Sequence, residues 1–557
     1  MNPQKLIGRV LATEKNPTTI DEFYFWTNVE TKLNAFDIVR VERDGSDTYG
    51  VIESISHITD ATSFLTNFIS SDFGDVGVIE PTFRVGMNFA KAKVSYNTKG
   101  DYTPVHNNSK VSLATQEQIT FALGLDKVEN PVVCGALKMY EGTGDEVTLP
   151  VNVNSKFLLG SEGAHLNISG ISGLAAKTSY AMFLMKSIQD AYALKNDDED
   201  SIAFVLFNVK GRDLMAIDCP SDDLNENEKN EYRNLKLSCD PFSKVKYYIP
   251  YFDQTSQKYS SYLSRSDVDS YVQSGKLKKF KYVYCDDKES IEMMFANVDD
   301  PNQTMEAIVS KIIDESDSDF KGLKTWGEFL ETVSANSQKG SSGSKGEISV
   351  LSWRKFKRIV NKAIKNDDMF AQRVEFEKSE CRLSDELKHI KKNEVHVIDI
   401  AKLPEDKQAF VFGDAVKTIY NLKLGEYDNE HNVTPPSRIV VFIDELNKYA
   451  SNDVPKSSPI LRQILDVTER GRSLGVILFG AEQFRSAIHK RVTGNCASHA
   501  YGRTNSIETS TADYKSLPET YRNMLTRLTQ GEYLIQNPVF RSLLKIKFPK
   551  PLYKQYK

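Results

Sequence analysis

The sequence predicts an α/β chain in which a β-rich N-terminal segment leads into a doubly wound, mostly parallel sheet. Three observations predict it. Short apolar or alternating runs recur through the first 148 residues. The stretch AHLNISGISGLAAKTSYAMFLMKSIQDAY, from Ala164, reads as strand, glycine-punctuated turn and helix. RIVVFIDELNKYA, from Arg438, reads as a strand buried on both faces that closes on two carboxylates.

Residues 1–148 carry the β-rich part. Ile7 to Leu11, Phe23 to Thr27, Phe36 to Val41 and Tyr49 to Ile55 are strand-length, and RDGSD at Arg43 to Asp47 supplies a hairpin turn with its glycine in place. Further runs at Val85 to Tyr96 and Val132 to Tyr140 keep the spacing of a small barrel.

From Leu149 the pattern changes. Leu166 and Ile168 alternate into a loop holding Gly170, Ser172, Gly173, Ala175 and Ala176, and a helix opens on Lys177, Thr178 and Ser179. Small residues let backbone N–H groups curl around a polyphosphate, the helix N-terminus adds partial positive charge, the lysine reaches the β and γ phosphates, and Thr178 holds Mg²⁺. The strict G-x-x-x-x-G-K-[ST] spacing is not met, since Ala176 replaces the last glycine and one extra residue separates Gly170 from Lys177. Alone, the stretch is equally a strand-turn-helix with a capping threonine.

The downstream strand supplies the complement. Ile439 to Ile443 end in Asp444 and Glu445, at the edge where doubly wound sheets bind ligands. Asp444 there orients Mg²⁺ and Glu445 polarises the water that attacks the γ-phosphate. A third piece, TERGRSLGVILFGAEQF, gives Arg470 and Arg472 around Gly471, then a strand from Val476 to Phe479 that ends near Gln483, placed to sense the γ-phosphate. Each arginine is also compatible with an ordinary solvated helix end.

Together with FNVKGRDLMAID and GEYLIQNPVFRSLLKIKFP, these segments resemble the HerA family of hexameric ATPases, relatives of the FtsK-type DNA pumps. The resemblance implies a small N-terminal β-barrel over 1–148, followed over 149–557 by a RecA-like P-loop ATPase core using ATP and Mg²⁺. It implies a homohexamer, with Arg470 or Arg472 supplied by the adjacent protomer and a nucleotide-sensing or intersubunit role for Arg503. Family members usually carry an acidic residue where Asn208 stands and many have an arginine where Ala164 stands. Two roles follow from the family. One is a motor that translocates double-stranded DNA through its channel, or serves as an assembly platform for a nuclease or sirtuin-like NAD-consuming effector in phage defence. The other is a DNA end-resection translocase or helicase acting with a nuclease in repair. No helical lid follows the core, as an AAA ring would need, and no LSGGQ-type signature suggests an ABC transporter ATPase.

Residues 219–390 leave the core pattern. They read as a largely helical insertion, with the Gly/Ser run 334–346 as a flexible linker. Within it, KLKKFKYVY (Lys276 to Tyr284) and WRKFKR (Trp353 to Arg358) interleave basic and aromatic residues, a combination that grips phosphates and stacks bases or simply forms a solvated face.

Composition sets the remaining bounds. At 557 residues, 40% hydrophobic and 26% charged, the chain can fill two or three domains. No run approaches the length of a membrane span and the N-terminus lacks a signal-peptide core, so a cytoplasmic protein without membrane contact is expected. Six cysteines without a C-x-x-C pair argue against a zinc ribbon or disulfide framework. His165 is expected to be a packing residue. A net charge of -5 argues against a protein coated in positive potential, yet leaves room for a basic channel inside a ring.

Overall fold

The computed structural model describes residues 5–70, 73, 85–101, 103–173, 176–195, 200–253, 259–314, 319–339, 341–343, 346–427 and 434–556. Leu6–Leu11, Glu22–Thr27, Ile38–Arg43, Ser46–Thr59, Gly86–Asn97 and Lys110–Leu113 close into an antiparallel barrel. The predicted hairpin turn sits between Arg43 and Ser46, with Asp44 and Gly45 both at positive φ, the backbone that a tight two-residue turn needs. Phe23, Phe25, Val39, Ile52, Ala90 and Ala92 fill the barrel.

A 13-stranded sheet forms the rest of the core. Its parallel part runs in the order Glu380–Cys381, Leu277–Phe280, Val245–Pro250, Val395–Asp399, Ile202–Asn208, Arg438–Asp444, Val476–Glu482, Leu166–Ser169, Ser498–Tyr501. Glu532–Gln536, Leu544–Lys547, Pro131–Met139 and Val147–Asn154 then continue it antiparallel. The acidic strand and the loop strand are therefore separated by one strand, Val476–Glu482, which pairs with both.

The central strands are apolar because both faces are covered. Ile202, Phe204 and Leu206 join a core that runs on through the helix Lys177–Ala193 into the barrel. Ala203, Val205 and Phe207 join a second core built with helices Glu405–Leu424 and Pro459–Leu474 and with the insertion. Period-two alternation thus divides one apolar run between two cores.

Three expectations about organisation meet a different arrangement. Pro131–Met139, read as part of the barrel, lies in the large sheet, because an alternating run does not say which sheet it will join. The 219–390 stretch is helical in most of its elements, but Val245–Pro250, Leu277–Phe280 and Glu380–Cys381 extend the core sheet beyond Val395–Asp399. The Gly/Ser run 334–346 begins inside the helix Trp326–Lys339, whose last turns are tied down by Lys357 Nζ on Ser334 Oγ (2.8 Å) and Arg354 Nε on the Ser337 carbonyl (3.3 Å). Ser341–Gly343 and Gly346–Ile348 then pair as a short hairpin; residues 340, 344 and 345 of the expected linker lie outside the described residues.

The two basic-aromatic stretches are consumed by the insertion's own packing. Lys281 is fully buried against Glu380 (2.7 Å), while Lys276 and Lys278 pair with Asp218 (2.5 Å) and Glu386 (2.6 Å). Trp353 and Phe356 are fully buried. With Trp353 and Phe356 in the core, the second stretch keeps Arg354 and Arg358 exposed but has no open ring among these two aromatics on which a base could stack. Among the described residues no helix is long and apolar enough to cross a membrane.

Candidate functional site

The turn after Leu166–Ser169 hangs between its two neighbouring strands. Gly170 N donates to the Glu482 carbonyl (3.1 Å) and Ile171 N to the Arg503 carbonyl (2.9 Å). Ser172 and Gly173 lie exposed at the tip, and Ala175 lies outside the described residues. Ala176 then adopts φ 50°, left-handed backbone that favours glycine and strains a residue with a Cβ by about 1 kcal/mol. The backbone thus takes the conformation expected of a glycine there, although the residue is alanine.

Lys177 opens the helix and folds back across the loop. Its Nζ donates to the Gly170 carbonyl at 2.9 Å and reaches Ser172 Oγ at 3.5 Å, with only 5% of the residue exposed. Burial pulls its pKa below the usual lysine value, and Asp444 opposes the shift. A buried ammonium at a helix N-terminus is a site that a polyanion would satisfy.

Thr178 makes the decisive contact. Its hydroxyl donates to Asp444 Oδ2 at 2.9 Å, joining the loop to the end of the acidic strand across 266 residues of chain. Asp444 Oδ1 accepts from the Glu445 backbone N–H (2.9 Å), and Glu445 itself sits at φ 59°. Hard oxygen donors from Thr178 and Asp444, side by side beneath a lysine and a helix N-terminus, fit a magnesium ion and its attached phosphates.

Glu445 does not stand free. Lys210 Nζ pairs with one carboxylate oxygen (2.9 Å) and Lys448 Nζ with the other (2.6 Å). Lys210 also lies 3.6 Å from Asp444 Oδ2. Burial would push the Glu445 carboxyl up, but the two ammonium groups more than offset this and hold it below the usual glutamate value. The sequence marks Lys210 only as the end of a strand. Its role arises from the pairing of Phe207 with Ile443, which brings the following turn over the acidic pair. Asn208 shapes that turn: its amide donates to the Gly211 carbonyl (3.0 Å) and Asp399 (2.9 Å) and accepts from Leu214 N (3.2 Å).

No protein-family model matches the chain, and no curated protein matches it. Among solved structures, it is similar to VirB4 of Thermoanaerobacter pseudethanolicus, at 11% identity over 75% of this chain and 96% of that one, with a TM-score of 0.41. It is also similar to the unbound bacterial conjugative coupling protein TrwBdeltaN70, at 10% identity over 73% of this chain and 89% of that one, with a TM-score of 0.40. The genome packaging NTPase B204 of Sulfolobus turreted icosahedral virus 2, in complex with ATP-gammaS, is similar over 30% of this chain and 72% of that one, at 18% identity and a TM-score of 0.23.

The intervening strand leads into Gln483, the residue expected to sense the γ-phosphate. Ala481 pairs with Asp444 on one side and Glu482 with Ser169 on the other, so Gln483, half-buried just beyond, emerges between the loop and the acidic pair. Gly480 admits the side chain of Leu446, whose Cδ2 would lie 2.4 Å from an added Cβ. Arg503 is half-buried and reaches the loop through its carbonyl. Arg470 and Arg472 lie elsewhere. Gly475, at φ 78°, caps their helix at the opposite edge of the sheet, where Arg472 donates to the Glu162 carbonyl (3.4 Å). Within one chain they cannot meet the loop. His165, also at that edge, is buried, accepts from Leu478 N (2.9 Å), and is pulled down to about 4 by burial, which leaves it neutral.

Glu482 is the residue the sequence passes over. It is fully buried beside the Asn167 amide, which favours its charged form. Burial pushes its carboxyl up to about 8, against the pull of Arg485 and Lys177. The folded chain therefore keeps this proton between the usual 4.5 and about 8, while the unfolded chain releases it, and stability falls as pH rises through that window. Glu482→Gln is expected to gain more in thermal midpoint at pH 8 than at pH 5; equal changes at both would contradict a buried neutral acid.

Proposed function

We propose that this chain is the protomer of an ATP-hydrolysing, HerA-like ring motor. The contact between Thr178 and Asp444 carries the reading, because it closes a phosphate-type loop onto an acidic strand end that the sequence alone leaves separate. ATP lies with its phosphates over the loop N–H groups and Lys177. Thr178 and Asp444 would hold Mg²⁺, which would supply charge neutralisation at the phosphates. Glu445 aligns the attacking water once the lysines on it are drawn toward the phosphates, and Gln483 reads the γ-phosphate. Lys177→Ala should weaken ATP binding by about 10- to 100-fold, the worth of a charge-assisted contact with phosphate. Titration calorimetry showing unchanged affinity would reject the loop assignment.

In a homohexamer the exposed Arg470 and Arg472, which lie away from their own loop, would serve the loop of an adjacent protomer. The pairing of Lys276, Lys278 and Lys281 with carboxylates favours the assembly platform for a nuclease or sirtuin-like effector in phage defence over a chain that grips DNA with this part of its insertion. The alternative is an end-resection translocase whose DNA runs through the ring. ATPase activity that rises with double-stranded DNA and falls steeply with salt would favour the translocase.

A further inference from the structure

A cavity of about 710 Å³ opens beside the phosphate-loop helix, a size typical of small-molecule sites. Ala176 and Ser179 form one wall, the segment Ser221–Leu224 another, and the C-terminal tail from Lys547 to Tyr556 the third. Thr178 points to Asp444 at the end where the γ-phosphate would lie. Ser179, the next residue, turns the other way and meets Gln555 Nε2 at 3.4 Å. The cavity thus begins where the α-phosphate end of a nucleotide would leave the helix.

The tail is fastened to its own chain. Ser221 N donates to the Leu552 carbonyl (2.8 Å), Lys554 N to the Cys219 carbonyl (2.9 Å) and Tyr232 Oη to the Lys550 carbonyl (2.6 Å). Leu552 and Tyr553 are buried. These anchors present Tyr556, whose ring faces the Arg212 guanidinium at 4.1 Å. Arg212 belongs to the turn that begins with Lys210, so one short turn carries a contact to Glu445 and a contact to the tail.

The charges around the cavity suit a neutral group. Lys550 pairs with Glu228 and Lys554 with Asp222 (3.3 Å), Lys547 is exposed, and Asp223 and Glu231 add further carboxylates to the lining. A second phosphate would find two of the three lysines engaged and would face four carboxylates, whereas carboxylates can accept from ribose hydroxyls and a base amino group.

We infer that this cavity takes the base and ribose of the bound nucleotide, with Tyr556 and Arg212 as the stacking platform and the C-terminal tail as the wall that holds them. The inference rests on the nucleotide reading of the loop. It predicts which end of the nucleotide each part of the site recognises.

The test compares ATP with inorganic tripolyphosphate, which has no nucleoside, by equilibrium binding to the full chain in the presence of Mg²⁺. Tyr556→Ala should weaken ATP by about 10- to 100-fold, the range for loss of one base-stacking ring, and leave tripolyphosphate unchanged. Tyr556→Phe, which keeps the ring, should bind ATP like the wild type. Lys177→Ala should weaken both ligands. Unchanged ATP affinity in Tyr556→Ala, or equal weakening of both ligands, would overturn the tail assignment while leaving the loop assignment standing. Wild-type protein that binds neither ligand would overturn both. Independently, an azidoadenine analogue of ATP should photolabel the peptide bearing Tyr556 in the wild-type chain; labelling confined to other peptides would overturn the assignment.

Discussion

Glu445→Gln is expected to bind ATP as the wild type does and to hydrolyse it roughly 100- to 10,000-fold more slowly, the usual loss when a positioned acid-base group is removed. The amide keeps the shape of the side chain and its left-handed backbone, so the loop, Thr178 and Asp444 stay in place. It loses the charge that holds Lys210 and Lys448 and that polarises water. A single-turnover experiment separates the two effects: nucleotide should be retained on the protein without cleavage. Undiminished cleavage would remove Glu445 from the role. With its carboxyl held below the usual glutamate value, Glu445 stays ionised through neutral pH, so a loss of activity near neutrality would arise at another group.

The second large effect concerns the arginines. Replacing both Arg470 and Arg472 by alanine should lower turnover by about 1,000-fold or more, as loss of an arginine supplied to a transition state does, with ATP affinity little changed. Both residues are exposed, so the stability cost should stay within about 0.5 kcal/mol. Because they lie at the far edge of their own sheet, the defect should be complemented between chains. Subunits lacking the arginines, mixed with Lys177→Ala subunits, should regain activity, since each intact loop can then face intact arginines. Mixtures as inactive as their components would contradict a shared site.

Much of this arrangement was legible in the residues. Ile439 to Ile443 and Ala203 to Phe207 are apolar at every position because both faces are covered, and short β-branched runs of that kind suggest a central strand. Lys177, Thr178, Asp444 and Glu445 stand at strand and helix ends, where sequence position and spatial position nearly coincide. Other features depend on long-range pairing. Lys210 looks like any surface lysine until the register of its strand is known. Glu482 and Gln483 are adjacent polar residues at one strand end, and nothing local says that the carboxylate is the one fully buried. The lysines of KLKKFKYVY suggested a basic face because Lys281 meets its carboxylate, Glu380, 99 residues further on.

The helix-loop pattern also hid a compensation. Ala176 breaks the expected glycine pattern, yet its backbone is left-handed all the same. The start of the same loop is braced from both sides, by Gly170 N on the Glu482 carbonyl and Ile171 N on the Arg503 carbonyl.

The central claim is that Thr178 and Asp444 act together on one magnesium-bound triphosphate. It is tested most directly by measuring ATP affinity with and without Mg²⁺ for the wild type, Thr178→Ala, Asp444→Asn and the double variant. A shared site predicts that either change alone removes most of the Mg²⁺ enhancement and that the double variant is no worse than the single ones. Mg²⁺ enhancement that survives both changes, or losses that add independently, would contradict it.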